Sequence, residues 1–146
     1  MKVLLIDDIM ANLRLMQRVL TQNGFEVIIE SNPCTALGMV ARGHSFHAII
    51  VDFMMPEMNG MEFFKRYQKL SRFQNTPIQQ IPPCILITAW SSSFTTEEAL
   101  DLGFHTVLKK PFTNETLVKA LEDIHNAIVF KNRSVRCVNA PFDGQD

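Results

Sequence analysis

Four consecutive residues, Ala48-Ile49-Ile50-Val51, are apolar at every position, and the run stops on a carboxylate, Asp52. A strand with no polar alternation has both faces away from water, a condition met in a parallel sheet covered by helices on two sides. The same grammar recurs along the chain. Lys2 to Ile6, Phe25 to Ile29, Cys84 to Thr88 and His105 to Lys109 read as four further short strands. Between them lie stretches with helical spacing. Ala11 to Asn23 repeats apolar residues at Leu13, Met16, Val19 and Leu20, and Gly24 follows where a left-handed cap is wanted. Asn32-Pro33 offers an N-cap followed by proline at the first helical position, with Gly43 as the stop.

The second half continues the alternation. Asn59-Gly60 breaks a Met-Pro loop, and Met61 to Leu70 is helical with Phe63, Phe64 and Tyr67 as its bulk. Ser71 to Pro83 is polar, carries three prolines and reads as a long surface loop. Thr95-Thr96-Glu97-Glu98 has the form of a capping box opening a short helix that Gly103 closes. Thr113 caps a last helix in which Leu117, Leu121, Ile124 and Ile128 form one face. Beyond Phe130 the apolar pattern ends, so residues 1–130 are expected to form one domain and 131–146 a C-terminal tail or linker. Five alternations of strand and helix predict an α/β fold with a parallel sheet, helices on both sides and right-handed crossovers.

Composition narrows the class. At 146 residues and 47% hydrophobic, the chain can bury a core without disulfide staples. Cys34, Cys84 and Cys137 lack any metal-ligand or paired spacing, in keeping with a reducing, cytoplasmic location. A net charge of −1 and the absence of a basic cluster speak against nucleic-acid binding. No apolar run is long enough for a signal-peptide core or a membrane span. His44 and His47 have no third ligand near them in sequence, and Met54, Met55, Met58 and Met61 are read as packing and loop anchors. Trp90 and Phe94 either cover core or contribute to a partner surface.

In a parallel sheet of this kind the ligand crevice lies outside the carboxyl ends of the strands, at the switch in strand order. Asp7 and Asp8 follow the first strand, Asp52 the third, Thr88 closes the fourth and Lys110 follows the fifth. All five are expected in one crevice. Three crowded carboxylates require protons or a cation, and hard oxygen ligands with room for water suit Mg²⁺. Asp7 and Asp8 are the metal side of such a site. Asp52 can then act as a nucleophile toward phosphorus, Lys110 can pair with Asp52 at rest and with a phosphoryl oxygen afterwards, and the Thr88 hydroxyl can donate to the same group.

These residues, with Met55-Pro56-Glu57-Met58-Asn59-Gly60 after the acceptor, Ala89 after Thr88 and Pro111-Phe112 after Lys110, resemble the receiver domain of two-component response regulators over about residues 2–128. The resemblance implies a flavodoxin-like (CheY-like) three-layer α/β/α sandwich with a five-stranded parallel sheet in the order 2-1-3-4-5. It implies a histidine kinase or phosphotransfer protein as phosphodonor to Asp52. It further implies Mg²⁺ held by Asp8, Asp52 and the main-chain carbonyl of Met54, with Asp7 reaching it through water, and a cis peptide between Lys110 and Pro111. The expected output is a switched surface for a downstream effector protein, or for a fused output domain absent from this chain, with homodimerisation left open and no membrane partner.

Two departures bear on that output. Members of the family usually carry Tyr or Phe three residues before the lysine, and this chain has Val107 there. Met54 and Trp90 stand at the two positions that flank the phosphoryl group and set water access, so slow spontaneous dephosphorylation is expected. Two other functions compete. A pseudo-receiver would keep the fold as a phosphorylation-independent binding module, which the full set of five site residues disfavours. A metal-dependent phosphatase acting on outside substrates would need a second acid two residues after the nucleophile, where Met54 cannot serve. The chain is therefore expected not to be an enzyme with external turnover.

Overall fold

Stretches that are apolar throughout become the middle of the sheet. In the computed structural model, which describes residues 1–77, 80–89, 94 and 96–139 (131–139 as backbone alone), β3 (Ala48–Asp52) is buried at all five positions. It is flanked by β1 (Lys2–Ile6) and β4 (Cys84–Ala89), with β2 (Glu26–Glu30) and β5 (Thr106–Lys110) at the edges. All neighbours pair in parallel, and the order is β2-β1-β3-β4-β5, as expected. Among the described residues four helices lie between the strands, α1 (Met10–Gln22), α2 (Pro33–Ala41), α3 (Gly60–Phe73) and α4 (Thr96–Leu102), and α5 (Asn114–Asn139) follows β5.

The period-two direction of strand side chains sorts the core into two halves. Leu4, Ile6, Ile49, Val51 and Leu86 pack with Phe63, Phe64, Tyr67 and Phe104 on the side of α2, α3 and α4. Val3, Leu5, Ile50, Ile85, Ile87 and Leu108 pack with Leu13, Leu20, Leu117, Leu121 and Ile124 of α1 and α5. Each half seals one face of the sheet, so its polar business is confined to the strand ends.

Local signals account for most boundaries. The Asn32 side chain accepts from the N–H groups of Cys34 at 2.8 Å and Thr35 at 3.4 Å, capping a helix with Pro33 in its first turn. Thr113 Oγ1 accepts from the Thr116 N–H at 3.1 Å at the start of α5. Gly24, Gly43 and Gly103 all take positive φ after their helices. Thr95, the first residue of the expected capping box, lies outside the described residues; α4 begins at Thr96.

Two elements run further than the sequence pattern implied. α3 continues through Ser71 and Arg72 to Phe73, which shortens the expected Ser71–Pro83 loop. Ser71 is buried, its hydroxyl donates to the Tyr67 carbonyl at 3.0 Å, and Gln74 Nε2 ties the end of the helix to the Ala41 carbonyl at 3.1 Å. α5 stays helical to Asn139, past the last residues that pack on the core. No glycine or proline falls between Phe130 and Pro141, so nothing in that stretch breaks the backbone hydrogen bonds.

Gly60 is where the fold presses hardest on the crevice. A Cβ there would stand 2.8 Å from the Asp52 carbonyl oxygen, 2.8 Å from Leu86 Cδ1 and 3.2 Å from the Phe53 Cα. Glycine lets the first turn of α3 lie directly behind the end of β3, and Asn59 caps that turn by accepting from the Glu62 N–H at 2.9 Å. Gly60→Ala is expected to lower the unfolding free energy by about 1–3 kcal/mol, the usual cost of overpacking, read from urea denaturation at unchanged m-value.

Candidate functional site

At the carboxyl edge the strand order reverses between β1 and β3, and the acidic residues sit at that switch. Ile6 pairs with Val51, so Asp7 and Asp52 are the next residues outward on neighbouring strands. Asp52 pairs with Ile87, which puts Thr88 one step further along β4, and Ala89 pairs with Lys110 at the end of β5. Asp52 and Lys110 are the last residues of their strands rather than the first residues beyond them. The pairing itself, not a loop, holds their backbones.

Each carboxylate has a different environment. Asp7 is 1% exposed; its Oδ1 accepts from the Ile9 N–H at 2.9 Å and its Oδ2 from Asn12 Nδ2 at 3.2 Å. Asp52 is 4% exposed; Lys110 Nζ lies 2.8 Å from its Oδ1, and the Met54 N–H donates to its Oδ2 at 3.1 Å. Asp8 is half-buried, and its Oδ1 is buried with no hydrogen-bond partner. One carboxylate oxygen from each of the three residues lies within 4.8 Å of the others, the single such acidic group among the described residues. An orphaned, buried carboxylate oxygen facing two other carboxylates is the donor set of a hard divalent cation, and in that respect the residues fit Mg²⁺.

The remaining expected residues divide. Thr88 is buried, and among the described residues its hydroxyl donates one long bond, 3.4 Å, to the carbonyl of Ala89. The peptide between Lys110 and Pro111 is cis, as the resemblance implied. The Met54 side chain is 69% exposed at the rim, and Trp90 lies outside the described residues. Val107 is half-buried on the α2–α4 side of the sheet. His47 Nδ1 accepts from the Lys2 N–H at 2.9 Å, a structural bond at the opposite edge.

Two features were not singled out in the sequence. Asn12 is one; a polar residue five positions after Asp7, in the first turn of a helix whose other face is apolar, was its only signal. The other is an aromatic contact. Phe53, next to the acceptor, meets Phe94 with ring centroids 4.6 Å apart, so the end of β3 touches a residue that follows Thr88 in the chain. Beside the acidic cluster a groove of about 430 Å³ runs between α1 and the start of α5, lined by Asp7, Asn12, Leu15, Met16, Lys110 and Phe112 among others.

A parallel α/β sandwich with an acidic cluster at its switch point and a lysine salt-bridged to the strand-ending aspartate is the arrangement that the sequence resemblance to receiver domains implied. Comparison with known proteins agrees: the family model described as "Response regulator receiver domain" matches residues 3–122, and the chain belongs to that family. It is similar to the "Chemotaxis protein CheY homolog" of Campylobacter jejuni subsp. jejuni, 29% identical over 125 residues that span 85% of this chain and 92% of the relative. It is also similar to "Chemotaxis protein CheY1" of Helicobacter pylori, 31% identical over 123 residues, 84% of this chain and 94% of the relative. Among solved structures, the Francisella response regulator 1452 receiver domain superposes with a TM-score of 0.71 at 25% identity, covering 86% of this chain and 97% of that one.

Burial pushes the Asp7 carboxyl above its ordinary value of 3.8, and the nearby Asp52 charge adds to the effect; the bonds from Ile9 and Asn12 and the Lys110 charge work against it. The folded chain thus holds this proton more tightly than the unfolded chain. Stability from that source is full below pH 3.8 and is lost as pH rises through the raised folded value. Asp7→Asn is expected to raise the metal-free melting midpoint at pH 7 by roughly 2–6 °C, with the gain shrinking toward pH 4. Thermal melts across that range, made in a chelator, check it.

Proposed function

We propose that this receiver domain is a phosphorylatable switch that takes a phosphoryl group onto Asp52 in a Mg²⁺-dependent reaction. The observation that carries the reading is the state of the Asp52 carboxylate. It is buried, held from one side by Lys110 and from the other by the Met54 N–H, and faces Asp7 and an unpartnered oxygen of Asp8. Mg²⁺ held by Asp8, Asp52 and the main-chain carbonyl of Met54, with Asp7 behind, would supply the positive charge that lets carboxylates and a phosphoryl group share one cleft. The phosphodonor is the phosphohistidine of a histidine kinase or phosphotransfer protein.

This chain's own residues do the rest by position and charge. The Met54 N–H and the strand register keep Asp52 Oδ aimed outward for in-line attack on phosphorus. Lys110, whose side chain is 41% exposed, has room to leave the carboxylate and follow an oxygen of the transferred group. Thr88, whose hydroxyl donates to the Ala89 carbonyl at 3.4 Å, turns it to another phosphoryl oxygen. The Phe53–Phe94 contact supports a route from Asp52 to the β4–α4 region that does not need an aromatic at Val107. The partner surface on that side is read by a downstream effector or an output domain. No acid stands at Met54 to protonate a leaving group, so the domain modifies itself and turns over no outside substrate. The same reading places it in the cytoplasm, without nucleic-acid or membrane contact of its own.

Intact mass after incubation with Mg²⁺ and acetyl phosphate, on wild type and Asp52→Asn in parallel, tests the reading. One phosphoryl mass on the wild type and none on Asp52→Asn is expected. No adduct on the folded wild type, together with no Mg²⁺ binding, would turn the reading to a phosphorylation-independent binding module. With apolar Met54 at the rim, the adduct is expected to outlast that of a chemotaxis receiver run alongside, and equal or faster loss would refute the water-exclusion argument.

A further inference from the structure

We infer that Asn12 is the positioning residue of the acidic cluster: its neutral side-chain amide clamps Asp7 so that the cluster is pre-set for a divalent cation without a further positive charge being added to it. The inference rests on the Mg²⁺-dependent reading above and extends it to a residue outside the metal ligands and the phosphoryl-contacting groups.

The carboxylate torsion of an aspartate is broad and nearly two-fold, so a single hydrogen bond leaves it loose. Asp7 has two, one to each oxygen: Ile9 N–H to Oδ1 at 2.9 Å and Asn12 Nδ2 to Oδ2 at 3.2 Å. Both donors belong to one rigid turn. The N–H groups of Asn12 and Leu13 bond back to the Ile9 carbonyl at 3.0 and 3.2 Å, so Asn12 sits in the turn that Ile9 begins. Leu13 in the same turn is fully buried against the sheet. The donors therefore cannot drift relative to β1, and neither can the carboxylate between them.

The kind of donor decides what the clamp is for. Asp52 is also held at two points, but one of them is the Lys110 ammonium, which neutralises it. A second cation on Asp7 would compete with any metal for the same charge. An amide donates one hydrogen and brings no charge, leaving further lone pairs of Asp7 toward Asp8 and Asp52. An aspartate at position 12 would add a fourth negative charge, and alanine or serine would not reach. The cluster is thus two carboxylates locked in place and one, Asp8, with an open oxygen.

Calorimetric titration of the metal-free protein with MgCl₂ tests the inference, on wild type, Asn12→Ala, Asp7→Asn and the double variant. Asn12→Ala is expected to weaken Mg²⁺ binding about ten-fold, the loss typical of a group that orients a ligand, while a chelator melt shows it folded. The loss should vanish when Asp7 is already Asn, because the amide then has no carboxylate to hold. Asn12→Leu, which keeps the volume and drops the donor, should match Asn12→Ala and guards against a folding defect in either. Wild-type affinity in folded Asn12→Ala or Asn12→Leu would overturn the inference, as would an equal loss in the Asp7→Asn background. A wild type that binds no Mg²⁺ would overturn the proposed function, and this inference with it, whereas binding by the wild type with no change at position 12 would overturn this inference alone.

Discussion

Three carboxylates with oxygens inside 4.8 Å of one another are the constraint around which the carboxyl edge of this sheet is built. At an effective dielectric of about 20, two full charges at that separation repel by about 3 kcal/mol, so three ionised groups without a counter-charge would cost an amount comparable to the whole stability of a small domain. The structure offsets part of it with Lys110 on Asp52 and with three hydrogen bonds to Asp7 and Asp52 together. What is left over appears in the raised Asp7 proton affinity and in the bare Asp8 oxygen. Both are unsettled features that a divalent cation would resolve.

The sheet makes that crowding tolerable by making it rigid. β1 and β3 run side by side, each sealed by half of the core, and their ends have nowhere to spread. Gly60 adds a wall: with no side chain it brings α3 against the Asp52 carbonyl and Leu86, and its N–H bonds the Phe53 carbonyl at 3.0 Å. The backbone around Asp52 is thus fixed from behind, from β1, from β4 through the Phe53 N–H to the Ile87 carbonyl at 2.8 Å, and from the front by Lys110. Motion is left to side chains at the rim, such as the exposed Met54 and Lys110.

That distribution of rigidity matters for Val107. A half-buried valine offers no ring to swing, yet Phe53, the acceptor's own neighbour, meets the ring of Phe94, which follows Thr88 in the chain. Tilted ring pairs at this spacing contribute about 0.5–1.5 kcal/mol beyond the area they bury.

Much of this was legible in the chain itself. Ala48 to Val51 is apolar at every position because β3 is buried on both faces, and Asn32-Pro33, Thr113 and the glycines after helices mark their turns by chemistry that acts within a few residues. The aspartates, Thr88 and Lys110 could be assigned to one edge because parallel connection sends every strand the same way. Other features needed the folded chain. The end of α3 was hidden because Ser71 and Gln74, polar in sequence, find partners in Tyr67 and Ala41 only after folding, and α5 outruns its apolar stripe because helix persists until something breaks it. The Asn12 clamp, the approach of Gly60 to the Asp52 carbonyl, the bare oxygen of Asp8 and the Phe53–Phe94 contact join residues by distance and orientation. Local sequence sets the elements and the strand-end chemistry through backbone preference and burial. Which donor reaches which carboxylate is decided by how two helices and three strands sit against one another, and only the tertiary structure holds that.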